Sequence, residues 1–108
     1  MPYYLTQASY SPEGWSSLVE NPEDRSKALA QAVEHAGGTF HGSWLSYGDY
    51  DVLFLYELPD NVRVASLVMA AGATEALRAL KTTPLLTWEE GLEALRGASG
   101  AGYRAPGR

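Results

Sequence analysis

The sequence predicts an α+β fold of the ferredoxin-like type, with four antiparallel strands and two helices on one face. Four segments have strand-like composition, and helical patterns separate them in the order β-α-β-β-α-β. This order is the split βαβ topology. A Gly-Asp pair between the second and third strand segments is typical of a hairpin turn. A short additional helix is expected near the C-terminus.

Size and composition restrict the class of protein. The chain has 108 residues, of which 45% are hydrophobic, so it can form one domain with a modest core. The absence of cysteine excludes disulfides, thiolate metal sites and cysteine nucleophiles. A net charge of −5 without any basic cluster argues against nucleic-acid and anionic-membrane partners. With no signal-like or membrane-spanning segment, we expect a cytoplasmic protein.

The first half of the chain predicts a strand and two helices. Residues 2–10 have strand composition, and Ser11-Pro12-Glu13 is typical of a helix start. Asn21-Pro22 repeats that signal, so we expect a break and then a longer helix. The apolar residues of this second helix recur on one face, and Gly37-Gly38 ends it.

The second half predicts a helix, a strand and a last helix. Asp60 or Asn61 caps a helix that is apolar on nearly all sides and is therefore expected to be buried. The fourth strand is predicted over residues 73–82, with Thr83-Pro84 interrupting it. A capping box at residues 87–90 starts the final helix. We assign residues 1–97 to the domain and 98–108 to a flexible tail.

The hairpin of residues 39–47 and 51–58 predicts a dimer. A two-residue turn at Gly48-Asp49, with Gly48 at positive φ, places His41 opposite Tyr56. One face then carries His41, Ser43, Leu45, Tyr47, Tyr50, Val52, Phe54 and Tyr56, and the other carries Phe40, Trp44, Leu53 and Leu55. Helices can cover only one of these apolar faces. We therefore expect a homodimeric α+β barrel in which two sheets pack face to face.

Four short segments resemble the GYD domain family. They are Pro2-x-Tyr4, residues 10–14 (YSPEG), residues 48–52 (GDYDV) and residues 82–87 (TTPLLT), and together they span about residues 1–90. The family is small, bacterial and mostly of unknown function. The resemblance implies the dimeric ferredoxin-like barrel, but it implies no reaction and no catalytic residues.

Candidate chemistry centres on the histidine of the hairpin. His41 could act as a general acid or base, with Tyr56 and Tyr47 orienting or polarising a substrate oxygen. The residues expected to line a pocket for a bulky aromatic or polyketide-like ligand are Tyr4, Ser43, Trp44, Tyr50 and Phe54. No cofactor or metal is predicted, because no ligand spacing or phosphate loop is present.

Structural interpretations remain open beside this chemistry. His41 could simply end a strand, and His35 suits the negative end of a helix. Asp49 and Asp51 suit turn hydrogen bonding. For function, a cofactor-independent enzyme (a cyclase, isomerase or monooxygenase) stands first. A non-catalytic binding or sensing module and a structural subunit are the alternatives.

Overall fold

Eight regular elements follow one another along the chain. The computed structural model describes residues 1–107. The elements are β1 (Tyr3–Tyr10), α1 (Pro12–Glu20), α2 (Ser26–His35), β2 (Thr39–Leu45), β3 (Val52–Glu57), α3 (Asn61–Gly72), β4 (Leu77–Leu85) and α4 (Trp88–Ala98).

The four strands form one antiparallel sheet in the order β2-β3-β1-β4. This order is that of the split βαβ fold, so the predicted topology is confirmed. On β1 and β3, buried residues alternate with half-buried ones. The buried set, which includes Tyr4, Thr6, Phe54 and Tyr56, faces the helices. The half-buried set, which includes Leu5, Leu53 and Leu55, forms the opposite surface, called here the open face.

The starts of α1, α3 and α4 follow the sequence signals, whereas α2 begins at Ser26, after Arg25 and not at Asn21-Pro22. The Ser11 hydroxyl accepts a hydrogen bond from the Gly14 amide at 3.1 Å, and Pro12 occupies the first turn of α1. The Asp60 carboxylate accepts from the Arg63 amide at the start of α3. Thr87 and Glu90 form the predicted capping box of α4. Each cap satisfies amides that the helix itself leaves unpaired.

Helix α2 ends at a pair of glycines that the fold needs for two different reasons. Gly37 has φ of 88°, a left-handed conformation that favours glycine, and its amide bonds the Glu34 carbonyl. At Gly38 the backbone lies in close contact with the end of β3. A Cβ atom there would lie 2.0 Å from the Glu57 carbonyl oxygen. The glycine pair therefore fixes how α2 turns into β2.

The core lies between the sheet and the helices. Tyr4, Phe54 and Tyr56 stack from the sheet, with ring centroids 5.8 Å apart for Tyr4–Tyr56 and 4.9 Å apart for Phe54–Tyr56. Val33 of α2 and Val64 of α3 pack against them. This cluster joins both helices to the two central strands.

The fourth strand differs from its prediction. It spans Leu77–Leu85 rather than residues 73–82, and Pro84 lies inside it, paired with Tyr4. Because β4 is an edge strand, the amide that proline lacks can point away from the sheet. Thr83-Pro84 therefore does not interrupt the strand.

Two helices expose more apolar surface than expected. In α3 only Val64 is buried, whereas Val62 and Met69 are 74% and 70% exposed, so the prediction of a well-buried helix is wrong for the single chain. In α4 no residue is buried, and Trp88 is 83% exposed. Helix α4 therefore leaves its apolar side uncovered by its own domain.

Among residues 1–107, no helix has the length and apolar character to cross a membrane.

Candidate functional site

A cavity of about 490 Å³ lies between the sheet and the helix layer. Its walls are largely apolar and come from β1, α1, α2, β3, α3 and β4, with Ala8, Leu29, Phe54, Leu67 and Leu80 among them. The volume is within the range of small-molecule sites, about 300–1,000 Å³. This cavity is the candidate functional site.

A chain of hydroxyl groups begins at the inner wall of the cavity. Thr6 lines the cavity, and its hydroxyl lies 2.8 Å from the Tyr56 hydroxyl and 2.9 Å from the Thr82 hydroxyl. Burial raises the pKa of Tyr56 above the ordinary 10.0, while its bonds to Thr6 and Thr82 oppose the rise. The phenol is therefore protonated at neutral pH.

The mouth of the cavity is polar and charged. Glu13, Glu23, Arg25 and Glu75 line it and are exposed, and Tyr10 lies beside them half-buried. Arg25 and Glu23 form an ion pair at 3.1 Å. Burial raises the pKa of Tyr10, and the negative charges of Asp51 and Glu23 raise it further against the opposing effect of Arg25. Tyr10 is thus a neutral hydrogen-bonding group at the mouth.

A second, shallower pocket of about 340 Å³ lies on the other side of α3. Tyr4, Val64, Met69 and Pro84 line it. The Tyr4 hydroxyl donates to the Asn61 side chain at 2.9 Å, which fixes the tyrosine at the edge of this pocket. It holds fewer polar groups than the main cavity and is more open.

A β-bulge corrects the predicted hairpin register. Leu45 pairs with Val52 and Ser43 with Phe54, as expected, but the register shifts between Phe40 and Gly42. Phe40, and not His41, lies opposite Tyr56 and packs against the core. The extra residue in β2 turns His41 to the open face. The grouping of His41 with Tyr56 is therefore wrong.

On the open face, His41 belongs to a different cluster. Its Nε2 lies 2.8 Å from Oε2 of Glu57, and its ring stacks on Tyr3 with centroids 5.3 Å apart. The helix-side cavity lies across the sheet from this cluster. Proton transfer by His41 inside the cavity is therefore not available within one chain.

Residues 48–52 (GDYDV), which lead into β3, anchor the hairpin to β1. The Asp51 amide donates to the Ala8 carbonyl, and the buried Asp51 carboxylate accepts from the Tyr10 amide at 2.9 Å. The Ser9 hydroxyl donates to the Asp49 carbonyl at 3.0 Å. These bonds satisfy backbone groups at the irregular end of β1, where the β4 register shifts. The Asp51 carboxylate therefore has a structural role, whereas Asp49 contributes its backbone carbonyl.

The turn itself is longer than predicted. Strand β2 ends at Leu45 and β3 begins at Val52, so the connection is not a two-residue turn. Gly48 does not have positive φ, since Gly37, Gly102 and Gly107 are the positive-φ residues of the part described. Tyr47 is 96% exposed at this loop and lies away from the cavity.

The structure brings few of the predicted site residues together. Phe54 lines the main cavity, Tyr56 lies behind Thr6, and Tyr4 lines the second pocket. Ser43 and Tyr50 are half-buried, and neither lines a pocket described above, whereas Trp44 is exposed and packs over Gly42 beside Leu53. The residues that sequence analysis missed are Thr6, Tyr10 and Arg25. Only the alternation of β1 pointed to the first two.

Metal binding finds no support in the described residues. Within residues 1–107, no three His, Asp or Glu side chains are grouped so that they could hold a metal ion. The His41–Glu57 pair therefore has no third such side chain grouped with it among residues 1–107.

Two solved structures with TM-scores of at least 0.50 support the fold. FFRP-DM1 is similar at 12% identity, with a TM-score of 0.50 over 80% of this chain and 100% of that chain. A hypothetical protein from Pyrococcus horikoshii is similar at 8% identity, with a TM-score of 0.51 over 81% of this chain and 92% of that one. An uncharacterized NIPSNAP domain protein from Burkholderia xenovorans has 12% identity and a TM-score of 0.46, covering 81% and 94% of the two chains.

Sequence comparison gives the family. No curated protein matches the chain. The profile of the GYD domain, in contrast, matches residues 4–95, which include the sheet except Tyr3, helices α1, α2 and α3, and most of α4. The four segments that resembled this family lie largely within that match. The chain therefore belongs to the GYD domain family.

Proposed function

We propose that this protein binds a bulky, largely apolar small molecule in the cavity between its sheet and helices. The observation that carries the proposal is the cavity itself: about 490 Å³ with apolar walls, Thr6 in its inner wall and a polar mouth. Binding sites for small molecules have this composition, since apolar walls supply affinity and a few polar groups orient the ligand. A purely structural subunit would have no need of such a space.

Binding is favoured over catalysis because of where the titratable groups lie. The predicted enzyme needs a general base inside the cavity, and His41 is on the open face beside Glu57. Thr6 lines the cavity and can hydrogen-bond a ligand oxygen, whereas Tyr56 lies behind Thr6 and stays protonated because burial raises its pKa. A cyclase, isomerase or monooxygenase would have to use the carboxylates at the mouth. Recognition of a ligand requires only the groups already in place.

We also propose that two copies assemble through their open faces. Four strands of about seven residues give each face roughly 440 Å², about half of the roughly 800 Å² that each partner buries in a standard interface. The exposed apolar residues of α4 and the preceding turn, Leu86, Trp88, Leu92 and Leu95, supply further surface at the end of β4. Glu57 and Lys81 give the open face charges of both signs, which suits contact with an identical face.

Filling the cavity should abolish ligand binding. We expect the neutral fluorescent probe N-phenyl-1-naphthylamine to bind saturably to the protein, and the Ala71→Phe variant to bind it at least about tenfold more weakly. Ala71 lines the cavity from α3, so a phenyl group there occupies the space of the probe. The measurement is a fluorescence titration at fixed protein concentration.

The neighbouring residue provides the matched control. Ala70 is exposed on the same helix and does not line the cavity, so Ala70→Phe adds the same group without filling the site. It should leave the probe affinity unchanged. Equal loss in both variants, or no saturable binding by the unmodified protein, would contradict the proposed function.

Charging the open face should separate the two copies. We expect the protein to sediment as a dimer and the Leu55→Lys variant as a monomer, because Leu55 lies on the open face of a central strand. Val19→Lys, at a 76% exposed position of α1 on the opposite side, should remain dimeric. Sedimentation equilibrium measures both, and far-UV circular dichroism checks the fold. A monomeric parent protein would rule out the assembly.

A further inference from the structure

The charges at the mouth of the cavity restrict the chemistry of its ligand. Of the residues that line the cavity, the charged ones are Glu13, Glu23, Arg25 and Glu75, so three negative charges face one positive charge. Arg25 is already paired with Glu23 at 3.1 Å. The carboxylates of Glu13 and Glu75 are left as the uncompensated charges at the mouth, on the two sides from which α1 and the segment before β4 approach.

We infer that the ligand is a bulky apolar molecule whose exposed end is cationic or uncharged, and not a carboxylate or sulfate. This inference rests on the proposed function, because it concerns the same cavity. The apolar walls leave the interior without a charged partner, so a charged group of the ligand has to remain at the mouth. There it meets an excess of negative charge on a protein whose net charge is already −5.

Tyr10 supplies an independent reason for a cationic or neutral end. Its ring lines the cavity, half-buried, and is held edge-on against Trp15 with centroids 5.3 Å apart. An aromatic face fixed at a mouth attracts an ammonium group and repels an anion. The Asp51 carboxylate accepts a hydrogen bond from the Tyr10 amide and adds negative charge near the Tyr10 ring. Arg78 follows Leu77 on β4 but does not line the cavity.

Three probes with one apolar body and different charges test the inference. They are 1-naphthylmethylammonium, 1-naphthalenemethanol and 1-naphthoate, titrated by displacement of N-phenyl-1-naphthylamine at low ionic strength. We expect the ammonium compound to bind about tenfold more tightly than the carboxylate, with the alcohol between them. Raising the salt concentration should reduce this difference, since the mouth is exposed to solvent.

Two double substitutions test whether the carboxylates at the mouth cause the preference for the ammonium compound. Glu13→Gln with Glu75→Gln removes two charges from the mouth and should bring the ammonium and carboxylate affinities to within about threefold of each other. Glu89→Gln with Glu93→Gln removes the same charge from α4, where both residues are exposed and outside the cavity, and should leave the preference unchanged.

The outcomes separate the two proposals. Tightest binding by 1-naphthoate would overturn the charge inference while leaving the cavity as a binding site. An unchanged preference in the Glu13/Glu75 variant would also overturn it. If no probe binds, or binding survives Ala71→Phe, the proposed function fails and the inference fails with it. A preference for the ammonium compound that the mouth variant abolishes and the α4 variant keeps supports both.

Discussion

We expect the Gly38→Ala substitution to destabilise the fold by about 2–4 kcal/mol. A Cβ atom at this position would lie 2.0 Å from the Glu57 carbonyl oxygen and 2.6 Å from Cδ2 of Leu58. Leu58 is fully buried, and the carbonyl belongs to the backbone at the end of β3, so neither can move cheaply. The measurement is urea unfolding of the parent protein and the variant under the same conditions.

Gly48→Ala is the control for that substitution. Gly48 lies in the motif that names the family, yet nothing approaches its Cβ position within 4 Å, and it does not have positive φ. Its substitution should change the free energy of unfolding by less than about 0.5 kcal/mol. Equal effects at the two positions would mean that contact with Glu57 does not make Gly38 necessary.

The order of strands and helices could be predicted from local signals. The caps at Ser11, Asp60 and Thr87 and the stop at Gly37 each reflect backbone groups that a helix leaves unpaired. Such signals act over three or four residues, so one sequence is enough to find them. The sheet order followed from the element order, since the split βαβ arrangement is the standard way to pack it.

The site could not be predicted in the same way, because it depends on one residue of register. The bulge between Phe40 and Gly42 exchanges the faces of Phe40 and His41. Gly42 inside the strand is the local sign of a bulge, but a glycine does not specify which residue is the extra one. A shift of one residue moves each side chain to the other face of a sheet. The cavity mouth was missed for a related reason, since Tyr10, Arg25 and Glu75 come together only through the tertiary fold.

The exposed apolar helices show a second limit of sequence patterns. The apolar composition of α3 and the stripe of α4 predict buried surfaces, but they do not say which chain covers them. In the single chain Met69 and Trp88 are exposed. The proposed assembly through the open face would cover α4, which follows directly on β4. Helix α3 lies on the helix side of the sheet and would retain its exposed surface.

The largest loss of stability is expected at Tyr56. Replacing it with alanine should cost about 3–5 kcal/mol, a large part of the 5–15 kcal/mol that holds a typical domain folded. Tyr56 is fully buried and stacks on both Tyr4 and Phe54, so its removal leaves a cavity in the centre of the core. Thermal and urea unfolding measure the effect, and an alanine variant as stable as the parent protein would contradict this packing.

Tyr56→Phe separates the ring from the hydroxyl group. The phenylalanine keeps the stacking and loses the hydrogen bonding of the hydroxyl group, chiefly the 2.8 Å bond to Thr6, which retains Thr82 as a partner. The cost should therefore be about 1 kcal/mol. A loss as large as that of the alanine variant would show instead that the chain of hydroxyl groups, and not the ring, holds the core.

The stability of Tyr56→Phe should also depend less on alkaline pH than that of the parent protein. Burial raises the pKa of Tyr56 above its ordinary 10.0, so the folded state holds this proton more tightly than the unfolded state. The resulting stability is fully present below pH 10 and is lost as the pH rises through the higher pKa of the folded state. Burial also raises the pKa of Tyr10, so the ionisation of Tyr10 adds a further loss of stability at alkaline pH. Unfolding measured between pH 9 and pH 11.5 should therefore show a smaller alkaline decline for Tyr56→Phe than for the parent protein, because phenylalanine has no proton to lose.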